Sequence, residues 1–333
     1  MRYYHDGSGS RPTVHHRNRP TQSPFPFIML HKLRQIAMMV EDLPEAIALY
    51  GRALGMEPCR TGSLPQFGLD NAVLPAGNGT FVELLAPHSS DSAGSRFLQR
   101  RGEAPYLIIF ETREYDRLIP HLREQGVRIT GETEHEASRS AFLHPASCNG
   151  AFLEIIEVTD PTNSWPAAGP DWQSTRHQPG TTQLRQMAII VNDLDAAIAR
   201  WSALFGLQPT KRFQISFTDL EIAVLPLNGR DTFIELAQPT SDDSPSGRFL
   251  ARYGEGIYLT IYQIEDSLAT DDHLQTLGSI RFTTSRRTDN YTNLGFNSIW
   301  LHPATFKGAF TQLSQVLDSE NPWPPAGDDW YKE

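Results

Sequence analysis

The sequence has few of the features that build disulfide-rich, membrane-spanning or nucleic-acid-binding proteins. Only two cysteines, Cys59 and Cys148, occur in 333 residues, which is too few for a disulfide framework or a Cys-rich zinc site. No apolar run approaches the roughly 18 residues of a membrane span. Acidic residues outnumber basic ones 39 to 29, which disfavours binding to nucleic-acid phosphates. We therefore expect a globular cytoplasmic protein that binds neither nucleic acid nor membrane.

The length exceeds what one hydrophobic core usually organises, so we expect two domains. Residues 1–30 are rich in Arg, His, Pro, Gly and Ser and are predicted to be a disordered extension or leader. A first domain over 31–159 and a second over 183–318 are separated by a linker at 160–182. This linker and the tail at 319–333 both contain Trp and Pro, which we interpret as clasps folded back on each domain.

The two domains are predicted because the sequence repeats itself from end to end. Residues 33–37 (Leu-Arg-Gln-Ile-Ala) recur as 184–188 (Leu-Arg-Gln-Met-Ala), and 80–84 (Thr-Phe-Val-Glu-Leu) recur as 232–236 (Thr-Phe-Ile-Glu-Leu). The second copy gains about six residues between Arg286 and Asn297. So long a period indicates a duplicated domain and excludes a solenoid.

Each copy begins with a strand, a helix and further strands, and then starts a second such round. Asp42 is predicted to cap the first helix and Gly55 to end it, and Asp193 and Gly206 do the same in the second copy. Apolar residues at helical spacing lie between each cap and glycine. The prediction is an α+β fold of four βαβββ modules, two in each copy.

These residues resemble the vicinal oxygen chelate superfamily, and most closely its methylmalonyl-CoA epimerase and glyoxalase branch. The resemblance rests on a Gln-Ile-Ala strand followed by Val-x-Asp-Leu, a Val-Glu-Leu-Leu-x-Pro strand, and Leu-His-Pro followed by Gly-Ala-Phe-Leu-Glu. It covers nearly all of 33–158 and 184–317. The resemblance implies that two modules curl into a cup-shaped mixed sheet with metal ligands pointing into the cup.

The ligand positions implied by the resemblance are unusual in this chain. In the first copy they fall on Gln35, Glu83, Leu107 and Glu154, and in the second on Gln186, Glu235, Leu259 and Gln312. Leucine stands where the family usually has histidine. Gln35, Glu83 and Glu154 could therefore hold a hard ion such as Mn²⁺, Mg²⁺ or Ca²⁺ in preference to Zn, Ni or Fe, and a metal-free site is the alternative.

Without a metal, two carboxyl groups in an apolar cup raise the pKa of at least one of them and share a proton. We therefore predict that Glu83 and Glu154 are catalytic in an isomerase or lyase that moves a proton beside a carbonyl of a small oxygenated metabolite. Gln186, Glu235 and Gln312 are expected to hold a ligand or to be structural. The alternative is a binding protein that sequesters a drug or metabolite.

The sequence also allows expectations about dioxygenase chemistry, two histidines and the oligomeric state. Extradiol dioxygenase chemistry is disfavoured, because Gln186, Leu259 and Gln312 replace its metal ligands. His144 and His302 are expected to form structural hydrogen bonds. The duplication predicts a monomer that mimics a dimer of single-copy relatives, or a homodimer.

Overall fold

The protein folds as two β-sheets of eight strands each, one in each half of the chain. The computed structural model describes residues 28–160, 164–175, 183–215, 218–285, 295–327 and 330–331. Residues 1–27 of the predicted leader lie outside the described residues, as do parts of the predicted linker and tail. The insertion predicted near 286–297 falls mostly outside them as well.

The first half consists of two βαβββ rounds joined by one additional helix. The first round contains β1 (Leu30–Met39), α1 (Leu43–Leu54), β2 (Arg60–Leu64), β3 (Leu69–Pro75) and β4 (Phe81–Pro87). Helix α2 (Ala93–Arg101) leads to the second round. That round contains β5 (Ala104–Thr112), α3 (Tyr115–Glu124), β6 (Ile129–His135), β7 (Ser138–Leu143) and β8 (Leu153–Val158).

The second half repeats this order. Its first round contains β9 (Gln183–Ile190), α4 (Leu194–Phe205), β10 (Lys211–Ile215), β11 (Leu220–Pro226) and β12 (Phe233–Pro239). Helix α5 (Pro245–Tyr253) follows. The second round contains β13 (Gly256–Ile264), α6 (Ser267–Leu277), β14 (Phe282–Ser285), β15 (Phe296–Leu301) and β16 (Phe310–Val316).

The opening strands of the two rounds lie side by side in the centre of each sheet. The first sheet has the order β2-β3-β4-β1-β5-β8-β7-β6, and the second has the equivalent order β10-β11-β12-β9-β13-β16-β15-β14. Strand β1 is parallel to β4 and antiparallel to β5, which makes the sheet mixed. The predicted α+β fold of four modules is confirmed.

The first helix of each half is capped as the sequence predicts. Asp42 accepts a hydrogen bond from the Glu45 amide at 2.8 Å, and Asp193 accepts one from the Ala196 amide at 2.9 Å. Gly55 and Gly206 end these helices with φ values of 66° and 74°, in the left-handed region that glycine tolerates. These residues set where each helix begins and ends.

Buried apolar residues form one core between the two halves and a separate core inside each cup. The core between the halves takes residues from both sheets and from helices of both halves, and Phe110 meets Trp201 in it with ring centroids 6.4 Å apart. The concave faces contain the other two cores, one around Phe81 and one around Phe233. Each sheet therefore has a face toward the other half and a face toward its own cup.

Contacts across the shared core come in pairs related by the duplication. The His121 imidazole meets the Ala203 carbonyl at 2.8 Å, and the His273 imidazole meets the Arg52 carbonyl at 2.6 Å. Gly150 packs against the backbone of Glu255, and its equivalent Gly308 packs against the backbone of Glu103. Both histidine pairs bring a helix of one half to a helix of the other.

Among the described residues, no helix is long and apolar enough to cross a membrane.

Candidate active site

The first cup encloses a cavity of about 640 Å³ that contains the predicted catalytic pair. Glu83 on β4 and Glu154 on β8 both line it, and Tyr106, Phe142 and Phe152 contribute aromatic surface. No Lys or Arg occurs among its described lining residues. The volume is in the range of small-molecule sites, and its acidity disfavours polyanionic groups inside the cup.

Glu83 is held by two side-chain amides. The Gln35 Nε2 group on β1 donates to Glu83 Oε2 at 2.8 Å, and the Asn71 Nδ2 group on β3 donates to Glu83 Oε1 at 2.7 Å. Burial raises the pKa of Glu83, and the two amide donors oppose that rise. The donors therefore stabilise the ionised form of a carboxyl that burial would otherwise keep protonated.

The indole of Trp165 fixes the orientation of the Gln35 amide. Its Nε1 donates to Gln35 Oε1 at 2.7 Å, and both side chains are fully buried. Because an indole N–H only donates, the amide oxygen must face Trp165 and the amide NH₂ must face Glu83. The segment that follows the first domain thus determines which Gln35 atom reaches the carboxyl.

Glu154 has a different environment from Glu83. Burial raises its pKa to about 7, a hydrogen bond from Ser140 on β7 lowers it, and the nearby charge of Glu83 raises it. Ser140 lies on β7, which pairs with the β8 strand of Glu154, and alternation along β7 puts Ser140 on the face of Phe142, the residue opposite Glu154. The rise predicted for the pair is found, but burial contributes more to it than mutual repulsion does.

Arg34 does not follow the strand alternation expected for β1. Strict alternation from Gln35 would turn it away from the cup, yet its guanidinium lies 4.6 Å from the Trp165 ring centre and binds Glu111 at 3.0 Å. The register of β1 and β5 shifts between Leu33 and Gln35, and such a bulge redirects a side chain. Arg34 therefore supports the tryptophan that orients Gln35.

The donors at the predicted metal ligands do not fit a divalent ion in this arrangement. Gln35 presents NH₂ to Glu83 and does not line the cavity, while Leu107 forms part of the wall. Among the described residues, no group of three or more His, Cys, Asp or Glu side chains is placed to hold a metal. Gln35 acts here as a hydrogen-bond donor to a carboxyl, and its oxygen is already occupied by Trp165.

The second cup repeats the Trp-Gln-Glu chain without the other partners. Trp323 Nε1 donates to Gln186 Oε1 at 2.8 Å, and Gln186 Nε2 donates to Glu235 Oε2 at 2.6 Å. Ile222 occupies the position of Asn71, and Gln312 occupies the position of Glu154. The cavity there is about 210 Å³ and has one buried carboxyl, whose pKa burial raises to about 7.

Both carboxyls were predicted from the sequence, but two of their hydrogen-bond partners were not. Asn71 and Ser140 lie on neighbouring strands, and no motif marked them. The Trp residues were predicted as clasps, but their hydrogen bonds to Gln35 and Gln186 were not. His144 and His302 behave as expected, since each Nδ1 accepts a backbone N–H two residues later.

Paired βαβββ modules around a cup, with a carboxyl and an amide on its central strands, define a tandem protein of the vicinal oxygen chelate type. A family model described as a glyoxalase-like domain matches residues 36–205. A second, described as the glyoxalase/bleomycin resistance protein/dioxygenase superfamily, matches residues 185–290. The chain belongs to this superfamily.

Curated relatives include epimerases that match one copy of the repeat in length. Mitochondrial methylmalonyl-CoA epimerase of Bos taurus is 31% identical over 133 residues, which are 39% of this chain and 75% of that protein. The ethylmalonyl-CoA/methylmalonyl-CoA epimerase of Cereibacter sphaeroides is 31% identical over 138 residues, covering 40% of this chain and 98% of that protein.

Solved structures that match both halves together include a two-domain enzyme. A mutant of 4-hydroxymandelate synthase from Streptomyces coelicolor superposes with a TM-score of 0.70 at 14% sequence identity, covering 90% of this chain and 96% of that chain. At this identity the likeness shows the fold alone. It establishes that the tandem arrangement is that of a known two-domain architecture.

Proposed function

We propose that the first domain catalyses proton transfer at a carbon beside a carbonyl, as an epimerase or isomerase without a metal ion. The observation that carries this proposal is the pair Glu83 and Glu154 in one cavity, with different hydrogen-bond partners. The epimerase relatives support the same reaction type. The substrate is proposed to be a small carbonyl compound whose reacting part is uncharged, because the described lining has no Lys or Arg.

The two carboxyls would share one proton near neutral pH. The amide donors of Gln35 and Asn71 favour a negative charge on Glu83, so the proton stays on Glu154. Glu83 then removes the proton from the α carbon, the electron pair of the broken C–H bond delocalises onto the carbonyl oxygen as an enolate, and Glu154 donates its proton to the same carbon. The charge ends on Glu154, and the reverse reaction exchanges the two roles.

Solvent deuterium exchange tests this proposal directly. The protein is incubated in D₂O with α-substituted ketones, α-hydroxy ketones and α-branched acyl thioesters, and deuterium incorporation is followed by mass spectrometry. We expect Glu83→Gln and Glu154→Gln to lower the rate by about 100-fold or more. The rate of epimerisation should fall above about pH 7, where Glu154 loses its proton.

Glu235→Gln is the matched control, because Glu235 forms the same buried Gln–Glu pair in the second cup. This variant should retain full exchange. Equal exchange in wild type and both first-cup variants, or a loss in Glu235→Gln alone, would contradict the proposal.

A binding protein without chemistry is the second candidate, favoured by the aromatic lining of the first cup. In that case, members of the same panel bind, no member exchanges its α proton, and Glu154→Gln changes affinity alone.

A further inference from the structure

We propose that the second cup is a binding site for a small organic cation, an amine with an apolar body, with Glu235 as its counter-ion. This inference is independent of the proton transfer proposed for the first cup. It concerns a cavity that the proposed reaction does not use and that lacks the second carboxyl of the first cup.

The second cavity has a largely apolar wall that includes five aromatic rings. The cavity is about 210 Å³, and its lining includes the rings of Phe213, Tyr258, Phe296, Trp300 and Phe310. Aromatic faces attract cations through the negative charge density above the ring, and this attraction strengthens where water is excluded. The chemistry of the wall therefore suits an apolar body attached to an ammonium group.

Glu235 is a buried carboxyl that pairs with no cationic side chain among the described residues. It is 6% exposed and receives one described hydrogen bond, from Gln186 Nε2. Ile222 stands where Asn71 supplies a second donor in the first cup, and no basic side chain contributes to the shift of the Glu235 pKa. An uncompensated buried carboxylate is costly, and a bound cation would remove that cost.

The other polar groups of the cavity favour a cation over an anion. Its described lining contains no Lys, Arg or His, and the acidic side chain of Asp219 lies at its exposed edge. Lys211, whose ammonium is 4.7 Å from the Phe213 ring centre, is not part of that lining. A carboxylate or phosphate ligand would meet negative charge and no cation.

Gln312 makes this cup a site for binding without chemistry. It occupies the position of Glu154, and its Nε2 lies 2.9 Å from both Ser298 Oγ and Ser314 Oγ. A side-chain amide does not bind or release a proton near neutral pH. The single carboxyl can pair with a charge but has no partner for a two-group proton transfer.

Isothermal titration of the full chain with three probes of one shape tests the inference. The probes are 2-phenylethylammonium, the neutral 2-phenylethanol and the anionic 3-phenylpropanoate. We expect the ammonium to bind at least about tenfold more tightly than the alcohol at pH 8, and the carboxylate to bind most weakly. Because the cation binds the ionised form of Glu235, its affinity should fall by about tenfold per pH unit below pH 7.

Two variants locate the site. Glu235→Gln should lower affinity for the ammonium by about tenfold or more, remove its pH dependence and leave the alcohol unaffected. Glu83→Gln, the matched change in the first cup, should leave ammonium binding unchanged. Tight binding of the alcohol or the carboxylate, loss of binding in Glu83→Gln, or no ammonium binding at millimolar concentration would each overturn the inference. The deuterium exchange assay of the first cup is unaffected by any of these outcomes.

Discussion

At the scale of single residues, Glu235 makes the stability of the protein depend on pH. Its pKa is raised to about 7 in the folded state, above an ordinary value of 4.5. The folded protein therefore binds a proton more tightly than the unfolded chain. This favours folding at low pH, and the free energy of unfolding falls as the pH rises from about 4.5 to 7.

Glu235→Gln should remove the part of the pH dependence that Glu235 contributes, while Glu154 keeps its own part. We expect the variant to match wild type near pH 4, below the unfolded pKa, and to exceed its free energy of unfolding at pH 8.5 by at most about 3 kcal/mol. Denaturant unfolding at both pH values measures the difference. Glu320→Gln, at an exposed carboxyl, is the control and should show no such divergence. A variant less stable than wild type at pH 8.5 would contradict the assignment.

At the scale of elements, the segment after each domain is part of its cup. Trp165 stacks on Phe81 with ring centroids 6.1 Å apart, and Trp323 stacks on Phe233 at 6.3 Å. The backbone carbonyls of these segments are held as well, by Arg34 on Ser164 and by Arg185 on Pro322. The segment after each domain therefore places an indole N–H beside a buried glutamine.

Trp165→Phe should separate the packing of the aromatic ring from the orientation of Gln35 by the indole N–H. The ring remains, but the buried Gln35 oxygen loses its donor, which should lower the free energy of unfolding by about 1–3 kcal/mol. With its amide released, Gln35 donates a weaker hydrogen bond to Glu83, so the pKa of Glu83 should rise. The acidic limb of the pH profile of the first-cup reaction should then shift to higher pH. Trp323→Phe should cost similar stability and leave that profile unchanged. Identical profiles in wild type and both variants would show that Trp165 is structural only.

The sequence allowed the elements to be predicted, because its signals are local. Asp42 and Gly55 mark a helix start and stop, and repeated strands such as 80–84 and 232–236 place the carboxyls on the cup face. The amide partners could not be predicted in this way. Asn71 reaches Glu83 only because the register of β3 on β4 brings them together, and the bulge that turns Arg34 leaves no trace in the hydrophobic pattern.

At the scale of the whole molecule, two halves are joined through a close backbone contact. Gly308 has a φ of 70°, and a Cβ added there would lie 1.6 Å from the Glu103 carbonyl oxygen. Gly308→Ala must therefore push the start of β5 away from the second half. We expect a loss of about 2–5 kcal/mol in the free energy of unfolding, measured by denaturant titration of the full chain.

Gly126→Ala is the matched control for this change. Gly126 also has a φ of 70°, but no atom lies within 4 Å of an added Cβ. The control should show only the cost of a left-handed alanine, about 1 kcal/mol. Equal losses in both variants would mean that the contact between the halves contributes nothing.

The shared core between the halves has a consequence for how the two cups can differ. In a dimer of identical subunits, every substitution appears in both sites at once. Here one codon changes one cup, and the pairs Asn71 and Ile222, and Glu154 and Gln312, are differences that a symmetric dimer has no means of making. Covalent fusion therefore lets a single molecule keep two buried carboxyls in the first cup and one in the second.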